Sequence, residues 1–339
     1  MKKLIFAAGV LALMAAPASA DGPLVISTWG GNWKEGVQIV GDEFTKRTGV
    51  EVEYITGGTL DRLAKAKVAR DNPEADLVNT TAHVGYLYYS DGLMEKLDWS
   101  KIPNAETLYP MAKRSDFTVS DYVYVYTPAY RKDEMPEGFS IDSWEVLWDE
   151  SMKGKLGLPD FDPSHIIIAA TKLAGVKPEE WEQVQDKLLA LKPNIKAFYQ
   201  SDATSQNLMR TGETPVQVLL NINGYHLEKL GLPVTIQVPK EGAVVGVDVW
   251  GISAGSKNKD LAQQFLNIAL EPEMLAKLCN FHKCSPMSPE AKLDPEIAEL
   301  PGIFTSAEQI EKEAIVVDDK TYATLLPQWK IWFTENMMN

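Results

Sequence analysis

Glycines and hydroxyl-bearing residues follow three predicted strands near the start of the chain, at Thr28-Trp29-Gly30-Gly31-Asn32, Thr56-Gly57-Gly58-Thr59 and Asn79-Thr80-Thr81. Glycines let a ligand approach the backbone closely, and N–H groups at the start of the following helix can hold a carboxylate. One such loop is ordinary turn chemistry, but three in succession at strand ends predict a cleft. The candidate residues are Trp29, Gly30, Gly31, Asn32, Gly57, Gly58, Thr59, Thr80 and Thr81.

A second set of polar residues lies later in the chain. Asp160-Phe161-Asp162-Pro163-Ser164 follows a predicted strand and precedes a helix, where Asp162 could instead be the N-cap of that helix. Asn221-Ile222-Asn223-Gly224-Tyr225 also follows a strand, and two predicted crossings between halves of the molecule contain a tyrosine and an aspartate. The candidates here are Tyr126, Asp160, Asp162, Ser164, Asn223, Tyr225, Asp248 and Trp250.

Asp248 is flanked by the apolar residues Val247 and Val249. A carboxylate that points into a cleft needs a partner, because burying an unpaired charge is costly. The early loops offer neutral donors only, so we expect the partner to be a ligand ammonium or guanidinium covered by Trp29. The alternative is that Asp248 is a structural hydrogen-bond acceptor at a hinge.

Enzyme signatures are missing from the sequence. It contains no Gly-x-Ser-x-Gly elbow, His-Glu-x-x-His, phosphate-binding loop or dinucleotide fingerprint. We therefore predict no catalytic residues, no metal site and no cofactor. The four histidines lie far apart in the sequence and beside no motif, and each is expected to be a surface or hydrogen-bonded structural residue: His83, His165, His226 and His282.

Cys279 and Cys284 are the only cysteines, in the segment Cys-Asn-Phe-His-Lys-Cys. An exported chain meets an oxidising compartment, so a local disulfide is favoured. The alternative is a metal site with His282, but the spacing fits no common zinc pattern.

Strands and helices alternate along the chain, which predicts an α/β fold with parallel strands. Its 339 residues exceed what one core usually supports, so two lobes are expected. We assign residues 1–20 to a signal peptide, 21–126 and 247–339 to lobe 1, and 127–246 to lobe 2. The later predicted helices include 144–148, 165–173, 181–191, 205–210 and 260–270.

The signal peptide is predicted from Lys2 and Lys3, the apolar stretch 4–16 and the small residues Ala18-Ser19-Ala20. It directs the chain to the periplasm, and no later segment is apolar enough to predict stable membrane insertion of the mature chain. The formal net charge of −14 argues against nucleic acid as a partner.

Eight short segments, taken in order, resemble bacterial extracellular solute-binding proteins of the spermidine/putrescine-binding type. They are 27–31 (STWGG), 44–50 (FTKRTGV), 75–78 (ADLV), 91–98 (DGLMEKLD), 143–148 (SWEVLW), 153–155 (KGK), 238–242 (VPKEG) and 256–262 (SKNKDLA). The resemblance implies a monomer with the two-lobed periplasmic-binding-protein fold (type II), which closes by a hinge on its ligand. It also implies delivery to an inner-membrane ABC permease with its ATPase.

The resemblance also bears on the ligand. Polyamine binders of the family have an aromatic box with acidic ends, which Trp29, Asp248 and one of Asp160 and Asp162 match. Ile222 and Gly246 stand where aromatic residues are expected, and most of the aromatic pair expected near Ala82-His83 is also missing. We therefore expect a smaller amine, or an amino-acid or opine-like zwitterion, in a pocket that Gly246 widens.

Two alternatives stay open. A ferric-ion or organic-anion binder could share the fold, but iron would favour paired tyrosines in the cleft. Tyr88 and Tyr89 are adjacent in a predicted helix, and Tyr199 stands alone in the second lobe. A secreted enzyme is the remote alternative.

Overall fold

The computed structural model describes residues 22–339, so the predicted signal peptide, 1–20, lies outside the described residues. The strands are β1 (Leu24–Thr28), β2 (Val52–Thr56), β3 (Leu77–Thr81), β4 (Met94–Glu95), β5 (Tyr122–Arg131), β6 (Leu156–Pro159), β7 (Ile195–Tyr199), β8 (Val216–Leu220), β9 (Val234–Ile236), β10 (Ala243–Ser253), β11 (Ser285–Pro286) and β12 (Ala314–Ile315). The α-helices are α1 (Asn32–Thr48), α2 (Thr59–Val68), α3 (Ala82–Ser90), α4 (Ser164–Ala174), α5 (Gln185–Ala190), α6 (Asp202–Thr211), α7 (Asn221–Lys229), α8 (Lys259–Ala269), α9 (Pro272–His282), α10 (Pro295–Ala298), α11 (Ala307–Glu313) and α12 (Asp319–Asn336).

The first lobe is built on the parallel strands β2, β1 and β3. Helix α1 returns the chain between β1 and β2 and buries Val37, Val40 and Phe44, which recur at helical spacing. Gly49, with φ of 76°, ends α1 in the left-handed conformation that glycine adopts without strain. The carboxyl ends of the three strands therefore meet at one edge of the sheet, where α1, α2 and α3 begin.

The second lobe repeats the arrangement with β8, β6 and β7, which are also parallel. Helices α4, α6 and α7 begin just after β6, β7 and β8. Its core contains Trp144, Ile167, Leu188 and Val218, all fully buried. Both lobes thus turn the starts of their helices toward the space between them.

Two long antiparallel strands, β5 and β10, join the lobes. Val244–Val247 of β10 pair with Val123–Tyr126 of β5, whereas from Asp248 onward β10 pairs with β3 of the first lobe. Asp248 lies opposite Thr81, so it is the first residue after β10 changes its partner. The strand order β2-β1-β3-β10-β5-β8-β6-β7 runs continuously through both lobes.

The C-terminal helix packs differently from the prediction that placed all of 247–339 in lobe 1. Residues of α12 spaced three or four apart lie in the core of the second lobe: Tyr322, Leu325, Trp329 and Phe333. The apolar stripe of α12 packs into that core and against α4, and α12 also packs extensively against α3 of the first lobe. Helix α12 therefore touches both lobes.

Two predicted helices contain 3₁₀ structure instead of continuous α-helix. Residues 144–148 form a 3₁₀ helix, and the predicted helix 181–191 divides into a 3₁₀ segment, Pro178–Val184, and the short α5. Glu180 has non-helical dihedral angles within that segment, so the chain kinks there while Trp181 stays buried. In the part of the chain described, no helix combines the length and the apolar character needed to cross a membrane.

Candidate functional site

A cavity of about 480 Å³ lies between the two lobes. Its wall on the first lobe comes from the residues at the starts of α1, α2 and α3, and its wall on the second lobe from those at the starts of α4 and α6. Strands β5 and β10 form the floor, and α12 closes one side. The folding pattern that brings strand ends together in each lobe therefore also creates the cavity.

Aromatic rings line one side of the cavity as a continuous chain. The ring of Trp33 lies 5.8 Å from Trp29 and 5.8 Å from Tyr124, and Tyr124 lies 6.2 Å from Tyr126. Tyr126 in turn stacks on His165 at 3.5 Å. Tyr124 and Tyr126 point the same way because they are two residues apart on β5.

The ring of Trp29 packs against an arginine, Arg62, that the sequence analysis did not single out. Its indole N–H donates to Thr59 Oγ1 at 2.8 Å, and the guanidinium carbon of Arg62 lies 4.8 Å from its ring centroid. Arg62 is only 4% exposed and donates to the carbonyl oxygens of Gly57 and Asn79. The expectation that the first lobe has no cation of its own near the site is therefore wrong.

Asp248 is 1% exposed and has two partners within the protein. Tyr122 Oη donates to one carboxylate oxygen at 3.0 Å, and Tyr124 Oη donates to the other at 3.0 Å. Burial raises the pKa of Asp248 to about 7, although the two tyrosine hydrogen bonds lower it. Both carboxylate oxygens therefore have a hydrogen-bond donor within the protein, although burial still disfavours the charge.

Gly246 does not widen the cavity, contrary to the expectation from the sequence. A Cβ atom at this position would lie 2.0 Å from Cε2 of Tyr124. The ring of Tyr124 thus occupies the space that a side chain at position 246 would need. The missing aromatic residue on β10 is replaced in space by a tyrosine on the neighbouring strand β5.

Asp162 connects the second lobe to α12. One carboxylate oxygen accepts from the backbone N–H of Ser164 at 3.0 Å, and the other accepts from Tyr322 Oη at 2.9 Å. The ring of Tyr322 stacks on His83 of the first lobe at 4.3 Å. Burial raises the pKa of Asp162, but the nearby His165 and His83 and the hydrogen bonds bring about a net lowering.

Asp202, the first residue of α6, lines the cavity and was missed by the sequence analysis. The side chains of Asn223 and Trp33 approach its carboxylate, which forms no ion pair with any residue in 22–339. Burial raises the pKa of Asp202, whereas the neighbouring Asn223 and Trp33 lower it. The sequence did contain a signal for Asp202, because this residue follows a strand end and comes directly after Ser201. The hydroxyl of Ser201 caps α6 by accepting a hydrogen bond from the backbone N–H of Thr204. The sequence analysis placed the start of this helix at residue 205, so it did not recognise Asp202 as a residue at a helix start.

Seven of the residues singled out from the sequence line the cavity: Trp29, Gly58, Thr59, Thr81, Tyr126, Asp162 and Asp248. The remaining ten lie outside its wall: Gly30, Gly31, Asn32, Gly57, Thr80, Asp160, Ser164, Asn223, Tyr225 and Trp250. Thr80 and Thr81 differ because successive side chains of a strand point to opposite faces, so that Thr81 faces the cavity and Thr80 does not. Trp250 is buried in the first lobe, where its indole N–H donates to Asp121 at 2.8 Å.

Cys279 and Cys284 form a disulfide at the end of α9. His282, between them, is buried, and its ring lies 5.3 Å from that of Trp33. Among residues 22–339, no three His, Cys, Asp or Glu side chains are grouped as a metal ion would require. Tyr88 lies in a small apolar cluster of the first lobe and Tyr199 is buried in the second, so neither lines the cavity.

Residues 40–305 match the family model described as bacterial extracellular solute-binding protein. The chain belongs to this family. The spermidine/putrescine-binding periplasmic protein of Escherichia coli (strain K12) is 28% identical to this solute-binding protein over 322 residues, covering 91% of this chain and 90% of the relative.

Solved structures share the fold of this chain. A crystal structure of an ABC transporter from Clostridium perfringens ATCC 13124 has a TM-score of 0.78 and 28% identity, covering 93% of this chain and 99% of that one. The binding protein AgtB from A. tumefacien R10, solved with agropinic acid, has a TM-score of 0.75 and 23% identity, covering 94% and 100%. The predicted two-lobed periplasmic-binding-protein fold is confirmed.

Proposed function

We propose that this solute-binding protein captures a small organic solute that carries a positively charged nitrogen, and delivers it to an ABC permease. The observation that carries the proposal is the cavity between the lobes, whose wall combines aromatic rings with four carboxylates, those of Asp162, Asp202, Asp248 and Asp319. Aromatic faces and carboxylates together favour an ammonium or guanidinium group over a neutral or anionic one.

The names of the relatives support this ligand class. The relatives include proteins named for binding spermidine, putrescine and cadaverine, and the binding protein AgtB, whose structure was solved with agropinic acid. The chain aligns with nearly the full length of each of these relatives, so the proposed role in solute binding applies to the whole chain and not to one part of it. Export to the periplasm, expected from residues 1–20, fits the same role.

We propose that the cleft closes by bending of β5 and β10, with lobe boundaries near residues 126/127 and 246/247. The supporting observation is that β10 changes its pairing partner between Val247 and Asp248. Seven residues that line the cavity, among them Trp29, Thr81, Tyr126 and Asp162, are proposed to contact the solute. Helix α12 is assigned to the second lobe on the basis of its packing.

Mass spectrometry of the protein purified under native conditions tests the function, because an enclosed ligand is retained and can be identified. Thermal shifts with amines, amino acids and their derivatives provide a second test, since a ligand that binds only the folded state raises the melting temperature. We expect one solute per chain, unchanged after incubation. Retention of iron, of an anion without nitrogen, or formation of a product would reject the proposal.

A further inference from the structure

We propose that Arg62 is a positioning residue of the solute site, which holds the ring of Trp29 in place in the cavity wall. Arg62 does not line the cavity, so it acts on the solute through Trp29. This role rests on the proposed function only in that Trp29 contacts the solute, and it does not depend on the charge of the solute.

Trp29 has little support from its own segment of the chain. It lies in the loop between β1 and α1, where the two glycines that follow it allow many backbone conformations. Its side chain is half-buried, and it lines the cavity. A mobile ring in such a loop would have to be ordered when a solute binds, and that ordering weakens binding. The orientation of Trp29 before binding therefore depends on contacts from other elements.

Helix α2 supplies two of these contacts. Thr59 Oγ1 accepts a hydrogen bond from the indole N–H of Trp29 at 2.8 Å, and the guanidinium carbon of Arg62 lies 4.8 Å from the ring centroid. Thr59 and Arg62 are three residues apart, so their side chains are neighbours on the helix surface. The hydrogen bond fixes one edge of the indole, and the guanidinium packs against the ring, a contact for which its planar shape is suited.

The guanidinium of Arg62 is itself fixed by three parallel strands. Its Nε donates to the carbonyl oxygen of Gly57, just after β2, at 3.1 Å. Its Nη1 donates to Ser27 Oγ of β1 at 3.2 Å and to the carbonyl oxygen of Asn79 of β3 at 2.9 Å. A group bonded to all three strands has little freedom to turn, so it holds Trp29 in a defined position relative to the sheet.

Gly57, which the sequence singled out but which lies outside the cavity wall, belongs to the same arrangement. A Cβ atom at this position would lie 3.2 Å from Cγ of Arg62, closer than an ordinary van der Waals contact. No left-handed backbone conformation requires a glycine here. The glycine is therefore explained by the side chain of Arg62 that passes beside it, and not by a close approach of the solute.

Arg62 is a costly residue if its purpose is stability alone. It is only 4% exposed, and among residues 22–339 it forms no ion pair and its Nη2 has no hydrogen-bond acceptor. Burial lowers the pKa of Arg62, but arginine keeps its charge at neutral pH. The cost of burying this charge offsets part of what its hydrogen bonds contribute to folding. A role in shaping the cavity wall accounts for its presence.

Fluorine NMR of the ligand-free protein labelled with 5-fluorotryptophan tests the positioning directly. The resonance of Trp29 is assigned from its loss in Trp29→Phe. Arg62→Met, which keeps an unbranched side chain but removes the guanidinium, should shift that resonance. The resonance of Trp250, in the core of the first lobe, should stay in place and serves as the control for a general loss of structure. An unchanged Trp29 resonance, or an equal change at Trp250, would overturn the inference.

Calorimetric titration with butane-1,4-diamine and 4-aminobutanoate measures the effect on binding. For whichever amine the wild type binds more tightly, Arg62→Met should weaken binding by roughly three- to tenfold, the cost of ordering one side chain. In a Trp29→Leu background the same substitution should have little effect, because the two residues act together. Arg70→Met is the matched control, since Arg70 is exposed just beyond the end of α2. An affinity of Arg62→Met equal to that of the control, or a full effect in the Trp29→Leu background, would reject the role of Arg62.

Arg62→Lys is the conservative variant and keeps the test decisive if Arg62→Met folds poorly. Lysine retains the charge and can donate to a backbone carbonyl, but it lacks the planar group, so it should shift the Trp29 resonance less and recover part of the affinity. A greater loss of affinity in Arg62→Lys than in Arg62→Met would contradict the inference. Melting temperatures of the ligand-free variants confirm that each is folded. A retained solute without nitrogen contradicts the proposed function, whereas an unchanged Trp29 resonance contradicts only the role of Arg62.

Discussion

The carboxyl group of Asp248 illustrates how burial changes the cost of a charge at the level of a single residue. Its pKa of about 7 is well above that of an exposed aspartate, because desolvation outweighs the two hydrogen bonds from tyrosines. The unfolded chain releases this proton near pH 4, whereas the folded chain holds it until about pH 7. The contribution of Asp248 to stability is therefore full below pH 4 and is lost as the pH rises toward 7.

Replacing Asp248 with asparagine should consequently stabilise the ligand-free protein at pH 8, where the wild-type carboxylate is charged and buried. The stabilisation should shrink as the pH falls and vanish near pH 4, because protonated aspartate and asparagine are both neutral. Urea denaturation of both proteins at pH 8, 6 and 4 measures the difference in free energy of unfolding. A variant less stable than wild type at pH 8 would show that the charge is compensated in the fold.

A methyl group at position 246 should have a large effect for its size. The Cβ of Gly246→Ala would lie 2.0 Å from the ring of Tyr124, which must move away from the cavity wall. The move also strains its hydrogen bond to Asp248. We expect a loss of about 1–3 kcal/mol in the free energy of unfolding, the usual range for overpacking, together with weaker solute binding. Gly30→Ala is the control for stability, because an added Cβ at Gly30 has no atom within 4 Å and neither glycine has a positive φ, so the variants differ in the clash with Tyr124.

At the level of elements, the disulfide ties the end of α9 to β11, next to the aromatic wall. We expect no free thiol in the unreduced, denatured protein exported to the periplasm. The double variant Cys279→Ser, Cys284→Ser should lose about 2 kcal/mol, as chain entropy predicts for a short loop. Thiol labelling and denaturation measure the two effects, and labelling of two thiols per chain would contradict the prediction.

Elements with strong local signals were predictable from the sequence, and contacts between elements were not. Strand β1, helix α1 and strand β2 follow from apolar periodicity and from the helix-ending Gly49. Arg62 and Tyr124 were missed because periodicity does not reveal which polar side chain turns into a site from a neighbouring element. The same limitation led to the wrong interpretation of Gly246, because only the paired strand β5 shows what fills the space beside it.

For the molecule as a whole, α12 links the two lobes across the cleft. It is embedded in the second core through Trp329 and Phe333, yet it bonds to the first lobe through Asp319 and Arg114, whose side chains are 16% and 11% exposed. If α12 moves with the second lobe, opening the cleft must break this ion pair. The pair therefore favours the closed arrangement and raises the apparent affinity for the solute.

Arg114→Met should weaken solute binding by several-fold, on the order of 1 kcal/mol, with little change in the cavity wall itself. Arg131→Met is the control, because Arg131 is equally shielded, at 13% exposed, but pairs with Asp133 in the same lobe. Calorimetric titration of both variants with the identified solute provides the measurement. Equal affinities of the two variants would show that the ion pair does not depend on closure.

The position of α12 at the end of the chain has a consequence for how the protein is made. Residues 322–337 complete the second core and one side of the cavity, yet they are synthesised about 100 residues after β8, a strand of the same lobe. The sheet of the first lobe is likewise incomplete until β10 pairs with β3, a strand that lies more than 160 residues earlier in the chain. The cores of both lobes therefore stay incomplete until late in synthesis, because each needs a segment that lies about 100 residues or more after the rest of its sheet.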